Sequence, residues 1–450
     1  MARERTLTRT REKRRTQATT AFLTIVLNCD RPIEPGARFC LSGVESVSIG
    51  RAPSLSATME LGALRVGIPD PRMSQAHLDL ELVLGSWMAQ DAGSKNGTLV
   101  DGRRIERSRI GAGTIVEVGG TFLLLGEVVQ SPDEPRILDG EGLKPPAAGF
   151  ATFVPSLARQ LERLARIAKS SVPVLLRGES GTGKEVLAHG IHELSGRPGP
   201  LRAINCGAIA PNLIESELFG HRRGAFSGAV ADHPGMIRSA EGGTLLLDEV
   251  GDLSLPAQAA LLRVMEQGEV MPVGGTRPVP LDVRFVAATN RDLDDLVSEG
   301  RFRADLLARL SGYSCALPLL RERREDFSLL VASLLKRIGA TDVSFSVEAA
   351  RLLLRYSWPL NVRELEKCLS SASALAGGGR IDVDDLPPAV RAAPPARSEP
   401  VDGKHKDQLV GLLRDHGGNV TAVAKTIGKA RSQIQRWLRR YRIDPRDYRR

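Results

Sequence analysis

The 450-residue chain lacks the features that organise secreted or membrane proteins. Its five cysteines (Cys29, Cys40, Cys206, Cys315, Cys368) are odd in number, widely spaced and contain no CxxC pair. That pattern supports neither a disulfide framework nor a zinc site. Hydrophobic residues make up 42% of the chain, yet no apolar run approaches the ~20 residues needed to span a bilayer. The N-terminus is polar and Arg-rich, without the apolar stretch of a secretory signal, so a cytoplasmic protein is expected. No repeat of fixed period is evident, which argues against a solenoid.

What is present divides the chain. Its length suits about three domains, each able to bury its own core. Two Pro-rich stretches, 130–149 and 387–403, lack apolar periodicity and read as linkers. Residues 1–20 hold seven Arg/Lys and two Glu, and residues 404–450 hold thirteen Arg/Lys and four Asp, so the overall charge of +9 leaves 21–403 acidic. The basicity belongs to the two ends: a basic disordered tail at 1–20 and a basic terminal domain at 404–450, of a kind that suits a phosphate backbone.

Block 21–129 alternates short β-rich runs with Gly turns, the pattern of an all-β sandwich. Block 150–386 alternates strands with helical patterns, the order of an α/β nucleotide-binding core. Block 404–450 is short and all-α.

In the middle block an apolar strand runs into Gly178, Glu179, Ser180, Gly181, Thr182, Gly183, Lys184, Glu185 and then a helical pattern. Strand, Gly-rich loop and helix in that order make a phosphate cradle, because glycines turn backbone N–H groups inward and a helix start favours anions. Lys184 would reach the β- and γ-phosphates of ATP. Glu185 stands where the generic pattern has Ser or Thr. Downstream, GGTLLLDEV ends in Asp248, placed to hold Mg²⁺ through water, and Glu249, placed to orient or deprotonate the attacking water. Between the two halves lies ELFGHRRGAFSGA, where Gly224, Ala225, Phe226, Ser227, Gly228 and Ala229 set a Phe among small residues that expose it. The hexapeptide reads as a tip that touches something else.

The ordered run GESGTGKE, ELFGHRRGAFSGA, GGTLLLDEV, VRFVAATNRDL, RFRADLLARL, LPLLRERREDF and WPLNVREL resembles the AAA+ domain of bacterial enhancer-binding activators of sigma-54 RNA polymerase, with its helical lid. That family usually has Glu after the loop Lys. The resemblance implies that Asn205 holds Glu249 away from water, that Asn290 senses the γ-phosphate and that Arg363 contacts bound nucleotide. It also implies that Arg303 and Arg309 are arginine fingers given to a neighbour's ATP site in a homo-oligomeric ring, worth roughly 10³-fold or more in rate. The hexapeptide then contacts sigma-54 holoenzyme.

Two positions depart from the family. Ser227 replaces Thr, losing one methyl worth about 0.8 kcal/mol if buried at the contact. Leu360 replaces Gly, awkward if φ there is positive.

At the C-terminus, Asp407–His416 reads as an amphipathic helix, and Asn419–Ile427, Gly428 and Ala430–Tyr441 as a helix-turn-helix. Ile434, Trp437 and Leu438 pack inward; Arg431, Ser432, Gln433, Gln435, Arg436 and Arg439 are the candidate DNA contacts. The string resembles the Fis-type helix-turn-helix. In the sandwich, Gly50-Arg51, Ser74-Gln75-Ala76-His77 and Asp91 with Ser94-Lys95-Asn96-Gly97-Thr98 sit on three separate loops that could converge on a phosphate. Their order resembles the FHA domain, a phosphothreonine-peptide reader. By that match Arg51 and Ser74 hold the phosphate, Lys95 and Asn96 the peptide, and His77 braces the loop. The ligand would be a phosphoprotein from a Ser/Thr kinase pathway, or the chain's own tail, which offers Thr6, Thr8, Thr10, Thr16, Thr19 and Thr20.

The expected protein is an ATP-dependent activator under phosphothreonine control. Two other classes keep the same features: a DNA-binding repressor with a degraded ATPase, and a phosphopeptide-binding scaffold.

Overall fold

The structure is a computed structural model, and it describes residues 19–129, 135–140, 142–210, 213–392, 409–427, 431, 434–435, 437–438 and 443–448. Two compact units emerge: one groups the sandwich and residues up to 163 with 320–354 and 362–387, the other groups 164–319, 355–361 and 388 onward. Among the described residues no helix is long and apolar enough to cross a membrane.

The sandwich strands in chain order are β1 (Thr19–Asn28), β2 (Ala37–Cys40), β3 (Ser46–Arg51), β4 (Ser56–Glu60), β5 (Ala63–Ile68), β6 (Leu78–Val83) and β7 (Ser86–Asp91). They continue with β8 (Thr98–Val100), β9 (Arg103–Ile105), β10 (Arg107–Ile110), β11 (Ile115–Val118), β12 (Thr121–Val129) and β13 (Ile137–Asp139). One sheet runs β13-β2-β1-β12-β11-β8-β9 and the other β10-β7-β6-β3-β5-β4. Leu23, Ile25, Val116, Val118, Leu123 and Leu125 of the first sheet pack between the sheets with Val47, Ile49, Val66, Leu78 and Leu80 of the second.

Two expectations about this region change. The stretch read as a disordered tail includes the start of a strand, since Thr19 and Thr20 open β1 and Thr20 is buried. Thr20 is thus sequestered from a kinase, while Thr6, Thr8, Thr10 and Thr16 lie outside the described residues. Within the stretch read as a linker, β13 pairs with β2 and extends the sheet.

Most of the helical block expected as the lid, residues 320–354 and 362–387, shares a compact unit with the sandwich, while 355–361 group with the other unit; the Pro-rich punctuation does not suggest that grouping.

The second unit opens on the end of helix α1 (Pro155–Ala168) and a parallel sheet of β14 (Val174–Arg177), β15 (Leu201–Asn205), β16 (Thr244–Asp248), β19 (Arg284–Thr289) and β20 (Tyr313–Ala316), in order β15-β16-β19-β14-β20. Helices α2 (Lys184–Ser195), α3 (Ile214–Phe219), α4 (Gly235–Ser239), α5 (Leu255–Gln267), α6 (Leu293–Ser298) and α7 (Ala304–Leu310) accompany the sheet, as does the hairpin β17 (Glu269–Val270) and β18 (Val279–Pro280). The inner strands β14, β16 and β19 are buried nearly throughout, as expected where helices cover both faces of such a sheet, and all six residues of β19 are buried; the edge strands β15 and β20 keep exposed positions. Arg284 at its start donates to the carbonyls of Ala168, Ile167 and Val172, closing the C-terminal end of α1.

Candidate functional site: an ATP site, its loop and a phosphate-reading edge

The phosphate loop joins β14 to α2. Gly181 and Gly183 have φ of +77° and +104°, values that L side chains adopt only under strain. Gly183 caps α2 without a side-chain hydrogen bond, which leaves the first-turn N–H groups to an anion. The Lys184 ammonium is buried, donates to the carbonyls of Gly178 (2.8 Å) and Glu179 (3.3 Å), and lies 3.8 Å from Glu249 Oε1. Thr182 Oγ1 donates to the Glu179 carbonyl at 2.9 Å, pinning the turn. Glu185 is exposed in the first turn of α2, where a negative charge complements the helix dipole.

Asp248 ends β16 and Glu249 follows it in the next turn, beside the phosphate loop. Asn205 does not reach Glu249: its amide donates to Asp248 Oδ2 at 3.4 Å, and its Oδ1 accepts from the N–H groups of Gly207 and Ala208. The register explains this, because parallel pairing sets Asn205 opposite Asp248. Glu249 has left-handed backbone angles, φ 51° and ψ 48°, which cost a non-glycine residue of order 1–3 kcal/mol and cluster at functional sites. The turn carries its carboxylate across to β19, where Oε2 accepts the Asn290 N–H at 3.0 Å. Asn290 therefore meets Glu249 through its backbone.

Cys206, bonded through its N–H to the Asp248 carbonyl, is no candidate nucleophile: burial, reinforced by Asp248, pushes its thiol up to about 12.

The remaining ATP-site expectations spread outward. Arg303 is exposed and paired with Asp305 at 2.7 Å, while Arg309 donates to the Met265 carbonyl at 2.9 Å. Among the described residues neither is hydrogen-bonded to the phosphate loop of its own chain. Arg363 is exposed in the first turn of α10 (Asn361–Leu375).

The sequence reading passed over Asn361. It is fully buried, has φ of 56°, and its amide donates to the Ser180 carbonyl of the phosphate loop at 3.0 Å. Asn tolerates the left-handed region better than most residues, which was the available signal. The strain expected at Leu360 falls on its neighbours instead, for Trp358 and Asn361 are the residues with positive φ there.

The loop carrying Phe226 hangs from a pair of bridges. His221 and His233 exchange backbone hydrogen bonds (3.0 and 2.9 Å), and the Arg222 N–H donates to Val273 at 3.0 Å, in the turn between β17 and β18. Asp232 clamps the base through the Arg222 guanidinium and the Arg223 N–H. Gly224 and Gly228 have φ of +81° and +110°. Phe226 is 38% exposed, and its ring meets the edge of His221 at a centroid distance of 5.0 Å. It is a half-sheltered tip. Ser227 is exposed, but Ala229 is buried and closes the loop by accepting the Gly224 N–H. Ala229 thus belongs to the base, because a residue bonded across the loop cannot also be its apex.

At the sandwich edge the three loops converge. The Arg51 N–H donates to the Ser74 carbonyl, and the Lys95 N–H to Ser74 Oγ at 3.0 Å. Buried His77 accepts the Ser74 N–H at Nδ1, so the neutral ring carries its proton on Nε2 and donates to the Gly97 carbonyl at 3.2 Å. One tautomer therefore braces two loops. The Asn96 amide donates to the Arg72 carbonyl at 2.7 Å. Burial pushes the Asp91 carboxyl up, but hydrogen bonds from Ser94 and Thr98 outweigh it and hold it below the usual range. Gly50 has no substitute, since a Cβ there would lie 1.8 Å from the Gln75 carbonyl oxygen.

At the C-terminal end helical residues 409–415 and Val420–Ile427 share a small core of Leu409, Leu413, Val423, Ala424, Ile434 and Leu438, with Trp437 against it. Arg431 and Gln435 are exposed, whereas Ser432, Gln433, Arg436 and Arg439 lie outside the described residues.

Comparison with known proteins supplies the family. The Sigma-54 interaction domain matches residues 151–316, the AAA+ ATPase lid domain 321–402 and the FHA domain 47–119. Transcriptional regulatory protein GlrR of Escherichia coli K12 is 40% identical over 307 residues, 66% of this chain and 69% of that protein. The acetoin catabolism regulatory protein of Cupriavidus necator is 42% identical over 308 residues, 64% of this chain; the match spans 46% of that relative's length. The structure of NtrX from Brucella abortus in complex with ADP is 30% identical, with a TM-score of 0.50 over 65% of this chain and 70% of that one. The chain therefore belongs to the family of regulators built on a sigma-54 interaction domain of AAA+ type, with an FHA domain in front of it.

Proposed function

We propose that this chain is a cytoplasmic, ATP-hydrolysing transcriptional activator that remodels sigma-54 RNA polymerase. One observation carries the reading: Lys184, at the start of α2, and the Asn290 N–H, just past β19, both meet the Glu249 carboxylate, beside a glycine loop with the left-handed turns of a phosphate cradle. The residues fit ATP with Mg²⁺. The first-turn N–H groups of α2 and Lys184 suit phosphate oxygens, and Asp248 is a single carboxylate of the kind Mg²⁺ takes together with phosphates. Bound Mg²⁺ would supply charge neutralisation. Glu249 would position the attacking water and take its proton, released from Lys184 and Asn290 as those groups turn to the γ-phosphate. Asn205 orients Asp248.

Arg303 and Arg309, engaged elsewhere within their own chain, suit a neighbouring subunit's site. ATP turnover per subunit is then expected to rise with protein concentration, and Arg303→Ala is expected to lower it about 10³-fold at saturating concentration. Turnover independent of both would remove the ring.

The Phe226 loop would deliver the work to sigma-54, residues 404–450 would bind upstream DNA, and Arg51, Ser74, Lys95 and Asn96 would read phosphothreonine. Arg51→Ala is expected to weaken capture of a degenerate phosphothreonine-peptide pool at least about tenfold, the scale of a lost charge-assisted pair. Equal capture by both proteins would rule out that reading.

A further inference from the structure

The outer face of the sandwich's first sheet is built unlike a solvated one. An antiparallel sheet with one wet face alternates apolar and polar residues, but β1 is buried continuously from Phe22 to Leu27. Leu23 and Ile25 point between the sheets. Phe22 and Thr24 point the other way with Phe122, Leu124 and Glu117, and all five are buried.

The lid covers this face. Its helices are α8 (Phe327–Arg337), α9 (Val347–Arg355) and α10, with a two-stranded pair of β21 (Ser344–Phe345) and β22 (Arg380–Ile381). From α9, Arg351 forms a two-pronged ion pair with Glu117 (3.0 and 2.8 Å), whose carboxylate is only 7% exposed. From β21, the Phe345 N–H donates to the Cys29 carbonyl at 2.8 Å. From α8, buried Ser328 donates to the Ile25 carbonyl and accepts the Gly36 N–H, both at 3.1 Å, beside the β-bulge in β1. Gly36 is obligatory, because a Cβ would lie 1.9 Å from the Ile25 carbonyl oxygen.

A third segment is tied into the same seat. Asp326, at the start of α8, accepts the Phe153 N–H and the Thr152 hydroxyl, while buried Arg38 of β2 donates to the Phe153 carbonyl at 2.6 Å. Sandwich, lid and the strap that enters α1 are thus bonded to one another at adjacent residues. The seat also touches the phosphate-reading edge: Arg72, whose carbonyl holds Asn96, pairs through its guanidinium with Asp30, next to Cys29.

We propose that this face is a docking surface for the chain's own lid, and that the FHA domain, seated there, restrains the lid movement that ATP turnover requires. Lids cycle between arrangements during turnover, and a seat that joins lid, sandwich and strap favours one of them. The lid is then where a phosphopeptide signal arrives, through Arg72, Asp30 and Cys29. The restraint rests on the ATPase reading above; the seat does not.

Charge reversal on the full chain tests both. Glu117→Arg and Arg351→Glu each place like charges in a buried contact. Each is expected to speed hydrogen exchange of the Phe345 and Gly36 amides at least about tenfold and to raise ATP turnover at least about threefold. The double reversal restores the opposite-charge pair and is expected to return both readouts toward wild type, which separates undocking from misfolding. Unchanged exchange in the single variants would overturn the seat. Faster exchange with unchanged or slower turnover would overturn the restraint. Faster exchange in a chain whose wild type turns over no ATP would overturn the ATPase reading while supporting the seat.

Discussion

Glu249→Gln is expected to abolish ATP turnover while leaving ATP binding intact. The carboxylate has 3.0 Å contact with the Asn290 N–H and lies 3.8 Å from the Lys184 ammonium. Glutamine keeps the first contact and the side-chain shape, so the loop geometry survives. It cannot accept a proton from water, and positioned proton transfer of this kind contributes about 10²–10⁴-fold. Turnover should fall by that factor, with nucleotide affinity, read by calorimetry, changed by less than about threefold, a fraction of one neutral hydrogen bond. A Glu249→Gln protein hydrolysing ATP at the wild-type rate would assign the base to another residue.

Phe226→Ala is expected to separate hydrolysis from work. The ring is half exposed and rests on the edge of His221, and the loop is held by the bridges at His221 and His233 and by Asp232. None of those ties uses the ring, so the loop should keep its shape in the variant, and ATP turnover should stay within about twofold of wild type, since surface changes typically alter stability by under 0.5 kcal/mol. What is lost is an aromatic anchor at an interface, typically worth about 2 kcal/mol or more, or roughly 30-fold in affinity. Open-complex formation, read by permanganate reactivity of promoter DNA, should fall by at least that much. Ser227→Thr, which adds one methyl at an exposed position, probes the same contact from the opposite direction.

Much of this was legible because the chemistry is local. A glycine loop between strand and helix, an acidic strand end and three loop motifs on a sandwich are contiguous strings, and the fold brings their members together at Lys184 with Glu249 and at Arg51 with Ser74 and Lys95. Three matters were not local. Asn205 faces Asp248 because of strand register, which no motif encodes. Glu249 crosses to Asn290 because of its left-handed backbone, a conformation that its residue type disfavours. Strain expected at Leu360 sits on Trp358 and Asn361, and Asn361 then reaches the phosphate loop.

The seating of the lid left a trace that went unread. The runs FLTIVL and FLLL in β1 and β12 are apolar but for Thr24, the pattern of strands covered on both faces, and the second cover lies more than 200 residues away in sequence at Ser328, Phe345 and Arg351.

The central claim is that ATP hydrolysis at Glu249 drives the Phe226 loop against sigma-54 polymerase. Open-complex formation at a sigma-54 promoter, with wild type, Glu249→Gln and Phe226→Ala compared side by side at saturating ATP, tests it most directly. The account predicts open complexes with wild type and at least about 30-fold fewer with either variant, ATP turnover staying near wild type in Phe226→Ala and falling about 10²–10⁴-fold in Glu249→Gln. Open complexes at the wild-type level with either variant would contradict it.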